Sequence, residues 1–342
     1  MNRRDFLKTA STFGSAALIA PSVLKSFEFS AAADGAARVA FVKTTDRAAG
    51  VARAIDLLGL PKFGGKDLFI KPNFNSSDPT PGSTSEDTLA ALVKKLHAMG
   101  AGPLTIGDRS GMGDTHEVMQ KKHAFTLGKE LNSKVVVFDD LKADDWELLK
   151  HPDSHWSQGF AVPKLVRQAG GIVQTCCLKT HRYGGHFTLS LKNSVGLAAK
   201  TVPGNSYNYM RELHSSPDQR RMIAEINSAY RPDLIVLDGI QAFTTGGPDS
   251  GKLVQSNVIL AGTDRIAIDA VGVALLRYYG TTPEVSRGAI FEQEQIARAV
   301  QLGLGIRSPK QIELVTGDPE SAEYAKKIRD VLDGGPGARS AA

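Results

Sequence analysis

The chain has 342 residues, of which 41 are lysine or arginine and 36 are aspartate or glutamate, and its net charge at pH 7 is +5. Its hydrophobic fraction of 42% can supply a large buried core, in one large domain or two small ones. The small excess of positive charge forms no basic run and no pattern interleaved with aromatic residues, so we expect no nucleic-acid partner.

Residues 1–33 have the features of an export signal. Arg3 and Arg4 precede the sequence Asp-Phe-Leu-Lys, and an apolar segment rich in small residues follows at residues 9–24. This segment is shorter than the roughly 20 residues that a membrane span needs, and residues 31–33 offer a cleavage site. Paired arginines favour the twin-arginine (Tat) route. We therefore expect the Tat machinery to recognise this segment and deliver the protein to the periplasm or the cell exterior, without a permanent membrane span; the alternative is a cytoplasmic protein with a basic N-terminus.

The first half of the remaining chain alternates short apolar, β-branched segments with segments of helical periodicity. We predict strands at residues 38–43, 67–71, 104–108 and 134–138, and helices near residues 48–60, 84–99 and 114–131. Several strands are apolar throughout, as expected when helices cover both faces of a sheet. The pattern therefore predicts an α/β fold with a mostly parallel sheet flanked by helices, extending over residues 34–332. We interpret residues 141–160 as an excursion of the chain at the rim of this fold.

The second half repeats this alternation. The predicted strands are residues 171–177, 233–238, 257–261 and 311–316, and the predicted helices lie near residues 186–198, 218–229, 264–277 and 289–302. We expect residues 199–217 to form a long loop, and the Gly- and Ala-rich residues 333–342 to form a disordered tail. Cys176 and Cys177 are the only cysteines. Because they are adjacent, we interpret them as buried strand residues and expect no disulfide.

Two patterns occur once in each half. Lys71 and Asn73 follow one strand as Lys179 and His181 follow another, and an aspartate adjoins glycine at the end of two further strands. The recurrence is explained equally well by a duplication that produced two similar α/β halves and by coincidence. Residues i and i+2 of an extended segment face the same side, and open α/β sheets bind ligands beyond the carboxyl ends of their strands. The sequence thus predicts a pocket formed by Lys71, Asn73, Asp108, Lys179, His181 and Asp238.

The segment after the predicted turn at residues 184–185 adds polar candidates. A helix beginning near His186 would align His186, Ser190 and Asn193 on one stripe. Lys192 would point elsewhere unless the helix ends early.

Two kinds of ligand fit this segment. A carboxylate or phosphate at the start of the predicted helix would meet free backbone N–H groups, with Lys179 and His181 supplying charge and hydrogen bonds. Alternatively, His181 and His186 could join Asp108 or Asp238 in a metal site, since imidazole and carboxylate suit zinc, iron or nickel.

A glycine-rich segment at residues 246–253 approaches the phosphate-loop pattern. Leu253 stands where a magnesium-binding Ser or Thr is required, and the residues that follow predict a strand rather than a helix. This excludes a nucleoside triphosphatase of that type. Gly247 is interpreted either as a close backbone approach to a ligand or as part of a plain turn. Since no strand is followed by Gly-x-Gly-x-x-Gly, we expect no dinucleotide cofactor.

These residues resemble the bacterial and archaeal family catalogued as domain of unknown function 362 (DUF362). The resemblance covers roughly residues 38–275 and rests on Ile70-Lys71-Pro72-Asn73, Gly100-Ala101, Ile106-Gly107-Asp108, Leu178-Lys179-Thr180-His181, Leu191-Lys192-Asn193, Gly196, Asp238-Gly239-Ile240, Gly247-Pro248, Gly251, Asp264, Ala267, Asp269 and Ala270. Some members carry cysteine-rich iron–sulfur segments. This chain lacks those cysteines, so we expect no iron–sulfur cluster. The resemblance implies the domain and the choice of polar residues, but no reaction.

Our leading hypothesis is an exported enzyme that acts on a small anionic or carbonyl-bearing molecule by acid/base chemistry, for which histidine is suited near neutral pH. The predicted catalytic residues are His181, Asp108, Asp238 and Lys179, and the predicted ligand-binding residues are Lys71, Asn73, His186, Lys192, Asn193 and Gly247. The alternatives are a non-catalytic periplasmic protein that binds an anion or a metal, and a metal-dependent enzyme. The identity of any metal or organic cofactor stays open at this point.

Overall fold

The computed structural model describes residues 35–335; the predicted export signal, Asp34 and residues 336–342 of the predicted tail lie outside them. The strands of this part are β1 (Ala37–Lys43), β2 (Leu68–Lys71), β3 (Leu104–Asp108), β4 (Ser133–Val137), β5 (Trp146–Leu149), β6 (Phe160–Pro163), β7 (Gly171–His181), β8 (His186–Thr188), β9 (Leu234–Gly246), β10 (Gly251–Gly262) and β11 (Ile312–Val315).

The α-helices of residues 35–335 are α1 (Arg47–Leu58), α2 (Glu86–Ala98), α3 (Thr115–Lys121), α4 (Ala124–Glu130), α5 (Lys164–Gln168), α6 (Ser190–Asn193), α7 (Tyr209–Ser215), α8 (Gln219–Ile226), α9 (Arg265–Tyr278), α10 (Pro283–Ser286), α11 (Glu294–Gln301) and α12 (Pro319–Leu332). None of these helices combines the length and the apolar character that a membrane crossing requires.

One sheet of nine strands organises the described residues. Its order is β11-β1-β10-β9-β7-β2-β3-β4, with β8 paired to β7, while β5 and β6 form a separate hairpin. Strands β9, β7, β2, β3 and β4 are parallel to one another, and β10 is antiparallel to both of its neighbours. The predicted α/β fold with a mostly parallel sheet is therefore confirmed. Strand β1 lies between β10 and β11, so the two halves of the chain are interleaved in one sheet.

Helices cover both faces of this sheet. On β1, the fully buried Phe41 packs in the cluster that contains residues of α9 and α12, whereas its neighbour Val42 packs with residues of α1 and α2. Successive strand residues point to opposite faces. The absence of polar alternation in the strands therefore follows from burial on both sides.

The structure departs from the predicted elements most clearly after β7. That strand continues to His181, and residues 186–188 form β8 instead of the start of a helix. Thr188 lies opposite Lys179 and Phe187 opposite Thr180 across a hairpin. The aromatic Phe187 and the β-branched Thr188, which follow His186 after two glycines, favour this strand. The predicted helix over 186–198 is wrong: helix α6 has four residues and is followed by a 3₁₀ turn.

Four α-helices of the described residues, α5, α7, α10 and α12, lie where none was predicted, and α7 and α12 are the longest of them. Helix α7 occupies part of the predicted loop 199–217, and the side chain of Asn208 accepts a hydrogen bond from Arg211 N–H at its start. Helix α12 begins with Pro319 after the capping residue Asp318. Both starts carry sequence signals that favour a helix N-terminus.

Candidate functional site

A cavity of about 40 Å³ lies at the edge of the sheet where the parallel strands end. Since one water needs roughly 10–15 Å³, this space corresponds to about three waters and suits a ligand of few heavy atoms. Of the predicted site residues, seven line the cavity: Lys71, Asn73, Asp108, Lys179, His181, Lys192 and Asn193.

A buried ion pair forms one wall of the cavity. Lys71 Nζ lies 2.5 Å from Asp108 Oδ1, and both side chains are almost completely buried. The backbone N–H groups of Phe74 and Arg109 donate to the two oxygens of Asp108 at 2.8 and 2.7 Å. Burial, the largest influence on both groups, raises the pKa of Asp108 and lowers the pKa of Lys71. Asp108 thus already accepts from three donors, namely Lys71 Nζ and two backbone N–H groups. We therefore assign to it the role of holding Lys71 in place.

Two asparagines connect this ion pair to the rest of the cavity. Asn193 Oδ1 accepts hydrogen bonds from Lys71 Nζ and Asn73 Nδ2, both at 3.3 Å. Asn193 Nδ2 donates to the Thr175 carbonyl at 3.2 Å. Asn73 Oδ1 is buried without a hydrogen-bond partner within residues 35–335. It is therefore available to a ligand.

Three further cations line the cavity without a carboxylate partner in the described part of the chain. Lys179 Nζ donates to the carbonyls of Gly82 and Pro248. The Arg109 guanidinium also donates to main-chain carbonyls. Lys192 makes no side-chain hydrogen bond or ion pair with any described residue, although its exposed fraction is only 7%. The cavity thus holds four cationic side chains, including Lys71, against the single carboxylate of Asp108.

Burial of these cations changes their acid–base behaviour. It lowers the pKa of Lys192 to about 7, with Lys179 and Arg109 acting in the same direction. Burial likewise lowers the pKa of Lys179 to about 8. For His181, burial followed by Lys192 and Lys179 holds the pKa well below its ordinary value. His181 is therefore a neutral imidazole near pH 7, and its Nδ1 is buried without a partner among residues 35–335.

Two glycines permit the close approach of the lysines. A Cβ atom on Gly185 would lie 2.9 Å from Lys192 Cδ and 3.3 Å from His181 Nδ1. A Cβ atom on Gly196 would lie 2.7 Å from Lys71 Nζ. The sequence analysis interpreted Gly185 only as a turn residue and Gly196 only as part of a family pattern. Their positions next to lysines depend on tertiary contacts that local sequence does not specify.

The model of the DUF362 family, described as a domain of unknown function, matches residues 68–274. The chain belongs to the DUF362 family. The match includes β2, β3, β7 and α6, and hence all seven predicted residues that line the cavity.

Two further similarities are found. The DUF362 protein is 26% identical to the thylakoid-associated protein sll1697 of Synechocystis sp. over 220 residues, or 62% of this chain. The match covers 64% of that relative, so the chain spans less than two thirds of its length. Among solved structures, the lactate racemase apoprotein from Thermoanaerobacterium thermosaccharolyticum is similar with a TM-score of 0.43 and 16% identity, covering 89% of this chain and 87% of that one.

Three predicted site residues of the DUF362 protein lie outside the cavity lining. Asp238 is fully buried and accepts hydrogen bonds from Arg47 Nε at 2.8 Å and Thr88 Oγ1 at 2.7 Å. His186 is half-buried and has a positive φ of 60° at the start of β8. Gly247 has a φ of 64° in the turn between β9 and β10, where a Cβ would collide with the Thr180 carbonyl. The turn interpretation of Gly247 fits this geometry, and the neighbouring Pro248 lines the cavity instead.

The start of α6 is not available to an anionic ligand. The N–H groups of Ser190 and Leu191 donate to the buried carboxylate of Asp269, at 2.7 and 3.1 Å. The anion was predicted at a helix start near His186, where the structure has β8. The first N–H groups of α6 itself bind a side chain of the protein. Because α6 ends early, Lys192 lines the cavity.

The metal alternative receives no support from the described residues. His186 and Asp238 lie apart from the cavity that His181 and Asp108 line. Within residues 35–335, no group of three or more His, Cys, Asp or Glu side chains is placed to hold a metal ion.

Proposed function

We propose that this DUF362 protein is an exported enzyme that binds a small anionic molecule in the cavity and transfers protons to or from it. The observation that carries the proposal is the excess of buried positive charge. Lys179, Lys192 and Arg109 line one small space without a carboxylate partner in the described part of the chain. Removing unpaired charges from water is unfavourable. A carboxylate or another small oxyanion would supply the missing negative charge.

Proton transfer is assigned to His181 and Lys192. General acid–base groups work best when their pKa lies near the operating pH. The Lys192 amine, with a pKa of about 7, would exist in both protonation states at neutral pH. His181, as a neutral imidazole with a free Nδ1, could accept a proton or pass one on. Lys71, Asn73 and Asn193 would orient the ligand.

Anion binding is tested by calorimetry and thermal denaturation of the purified protein with acetate and with phosphate. Sodium chloride at matched ionic strength controls for charge screening. We expect the melting temperature to rise with either anion, since a ligand that binds only the folded state stabilises it by about 2.7 kcal/mol at 100 times its Kd.

Lys179→Met and Lys192→Met should each weaken this effect at least tenfold, while Lys66→Met, a change of an exposed lysine, should leave it intact. Equal responses to acetate, phosphate and chloride would contradict the proposal.

A further inference from the structure

We propose that Lys192 is a nucleophilic lysine that forms an imine with a small 2-oxo acid. This inference rests on the proposed function because it uses the same cavity and assigns the carboxylate of the substrate to the same cations. It adds a covalent step and a substrate class. The small volume of the cavity favours a molecule in which the carbonyl carbon is bonded directly to the carboxylate carbon.

The geometry distinguishes Lys192 from the other lysines of the cavity. Lys71 is held by Asp108 and by the Pro72 carbonyl, at 2.5 and 2.7 Å. Lys179 donates to two carbonyls. Lys192 has no such partner within residues 35–335, so its amine is free to approach a ligand.

The surroundings of Lys192 favour the neutral, nucleophilic amine. The titratable and charged side chains that face it or lie nearest in the cavity are Lys71, Asp108, Arg109, Lys179, His181 and His214. Asp108 is paired with Lys71 and forms no ion pair with Lys192 in the described part of the chain. Burial, and then the cations of Lys179 and Arg109, lower the pKa of Lys192 to about 7. A desolvated lysine beside another cation is a known way to activate an amine for Schiff-base chemistry.

The reaction balances without a redox partner. The neutral Nζ of Lys192 attacks the carbonyl carbon, an N–C bond forms, and the C=O π electrons move to oxygen. His181 takes a proton from the nitrogen and returns it to that oxygen, giving a carbinolamine. A second proton follows the same path, the C–O bond breaks, and a C=N bond forms as one water leaves. His181 ends in its starting state, and the carboxylate stays beside Lys179.

Gly185 gives this assignment a specific test. A methyl group there would occupy the space next to Lys192 Cδ and His181 Nδ1. Lys192 is flexible, so Gly185→Ala would displace its amine while both reacting groups remain present. Gly185 is thus a positioning residue for the proposed step.

The experiment traps the imine by adding sodium borohydride to the purified protein with pyruvate or glyoxylate, followed by peptide mass spectrometry. We expect one reduced adduct per chain, on Lys192, whose yield rises with pH through a midpoint near 7. Lys192→Met should abolish this adduct, and Gly185→Ala should slow its formation at least tenfold. Acetate has the carboxylate but no reactive carbonyl. When it is added to the wild-type protein together with pyruvate or glyoxylate, it should compete for the cavity and lower the yield of the Lys192 adduct.

The outcomes separate this inference from the proposed function. If acetate binds in calorimetry but borohydride traps nothing on Lys192, the imine is disproved and the anion site stands. If neither acetate nor phosphate binds and no adduct forms, both proposals fail. Equal labelling of many exposed lysines, unchanged in Lys192→Met, also overturns the imine.

Discussion

At the scale of single residues, the cavity depends on two glycines, because neither has a side chain. Gly185 leaves room for Lys192 beside His181, and Gly196 leaves room for Lys71 against Asp108. Neither glycine has a positive φ, so close approach rather than backbone conformation requires them. A side chain at either place would separate polar groups that the fold holds together.

Lys192→Met should change how stability depends on pH. The pKa of Lys192 is about 7 in the folded protein and 10.5 in an unfolded chain, so between these values the unfolded state binds more protons. Stability of the wild type therefore rises with pH over this range, and the full penalty of the buried charge is present below pH 7. We expect Lys192→Met to be more stable than the wild type at pH 6 by more than about 1.4 kcal/mol, the equivalent of one pKa unit.

Urea denaturation at pH 6, 8 and 10 measures this difference, which should shrink towards pH 10. Lys66→Met, at an exposed position, provides the matched control. A stability difference between Lys192→Met and the wild type that stays constant across these pH values would show that the Lys192 amine is not perturbed.

Local spacing was informative for some candidate residues and not for others. Lys71 with Asn73, and Lys179 with His181, are separated by two positions in extended segments, and both pairs line the cavity. Asp238 also adjoins glycine, but it lies within β9, and Arg47 of α1 binds its carboxylate across 191 positions of sequence. Such a distant partner leaves no local pattern, so the sequence could not distinguish Asp238 from a cavity residue.

At the scale of elements, α6 shows how tertiary contacts position the site. Its four residues are too few for a helix that is stable by itself. Asp269 of α9 accepts its first N–H groups and thereby fixes the segment that carries Lys192 and Asn193. The sequence analysis proposed an external anion about one helical turn earlier, near His186, because it predicted that the helix begins there and not at Ser190. Apart from β8, the strands of the nine-stranded sheet were predictable, because their continuous apolar and β-branched runs are a local signal.

Asp269→Ala should therefore damage both stability and the cavity. It would leave the buried N–H groups of Ser190 and Leu191 without their acceptor, and each unsatisfied group costs roughly 1–3 kcal/mol. We expect a loss of about 2–4 kcal/mol in the free energy of unfolding, together with weaker acetate binding. Asp269→Asn retains an acceptor oxygen and serves as the matched variant.

Urea denaturation and calorimetry give the two readouts for these variants. Asp269→Asn should keep most of the stability and of the acetate affinity. If Asp269→Ala matches the wild type in both measurements, the carboxylate does not position α6.

At the scale of the whole molecule, strands from both halves of the chain build one sheet. The sequence predicted the α/β class but not the strand order, because periodicity reports which face of an element is buried and not which strand lies beside it. The parallel strands β2, β3 and β7 belong to different halves, yet their ends line one cavity. The site is therefore a property of the complete sheet.

The sheet also encloses the two cysteines. Cys176 and Cys177 are free and buried in β7, and burial raises the pKa of Cys177 to about 11. The thiolate is the reactive form of cysteine, so both thiols are protected only once the protein has folded. Export after folding, the route predicted from Arg3 and Arg4, would deliver these thiols to an oxidising compartment in protected form.

This route predicts the fate of an Arg3→Lys, Arg4→Lys double variant. We expect the wild-type full chain to reach the periplasm of a bacterial host with an active Tat system, and the double variant to remain in the cytoplasm, since the Tat route depends on paired arginines in its signals. Cell fractionation with immunodetection measures both. Lys8→Arg keeps the charge and should not alter export. In the exported protein, a maleimide reagent should label the two cysteines only after denaturation. Periplasmic delivery of the double variant, or cytoplasmic retention of the wild type, would contradict the predicted route.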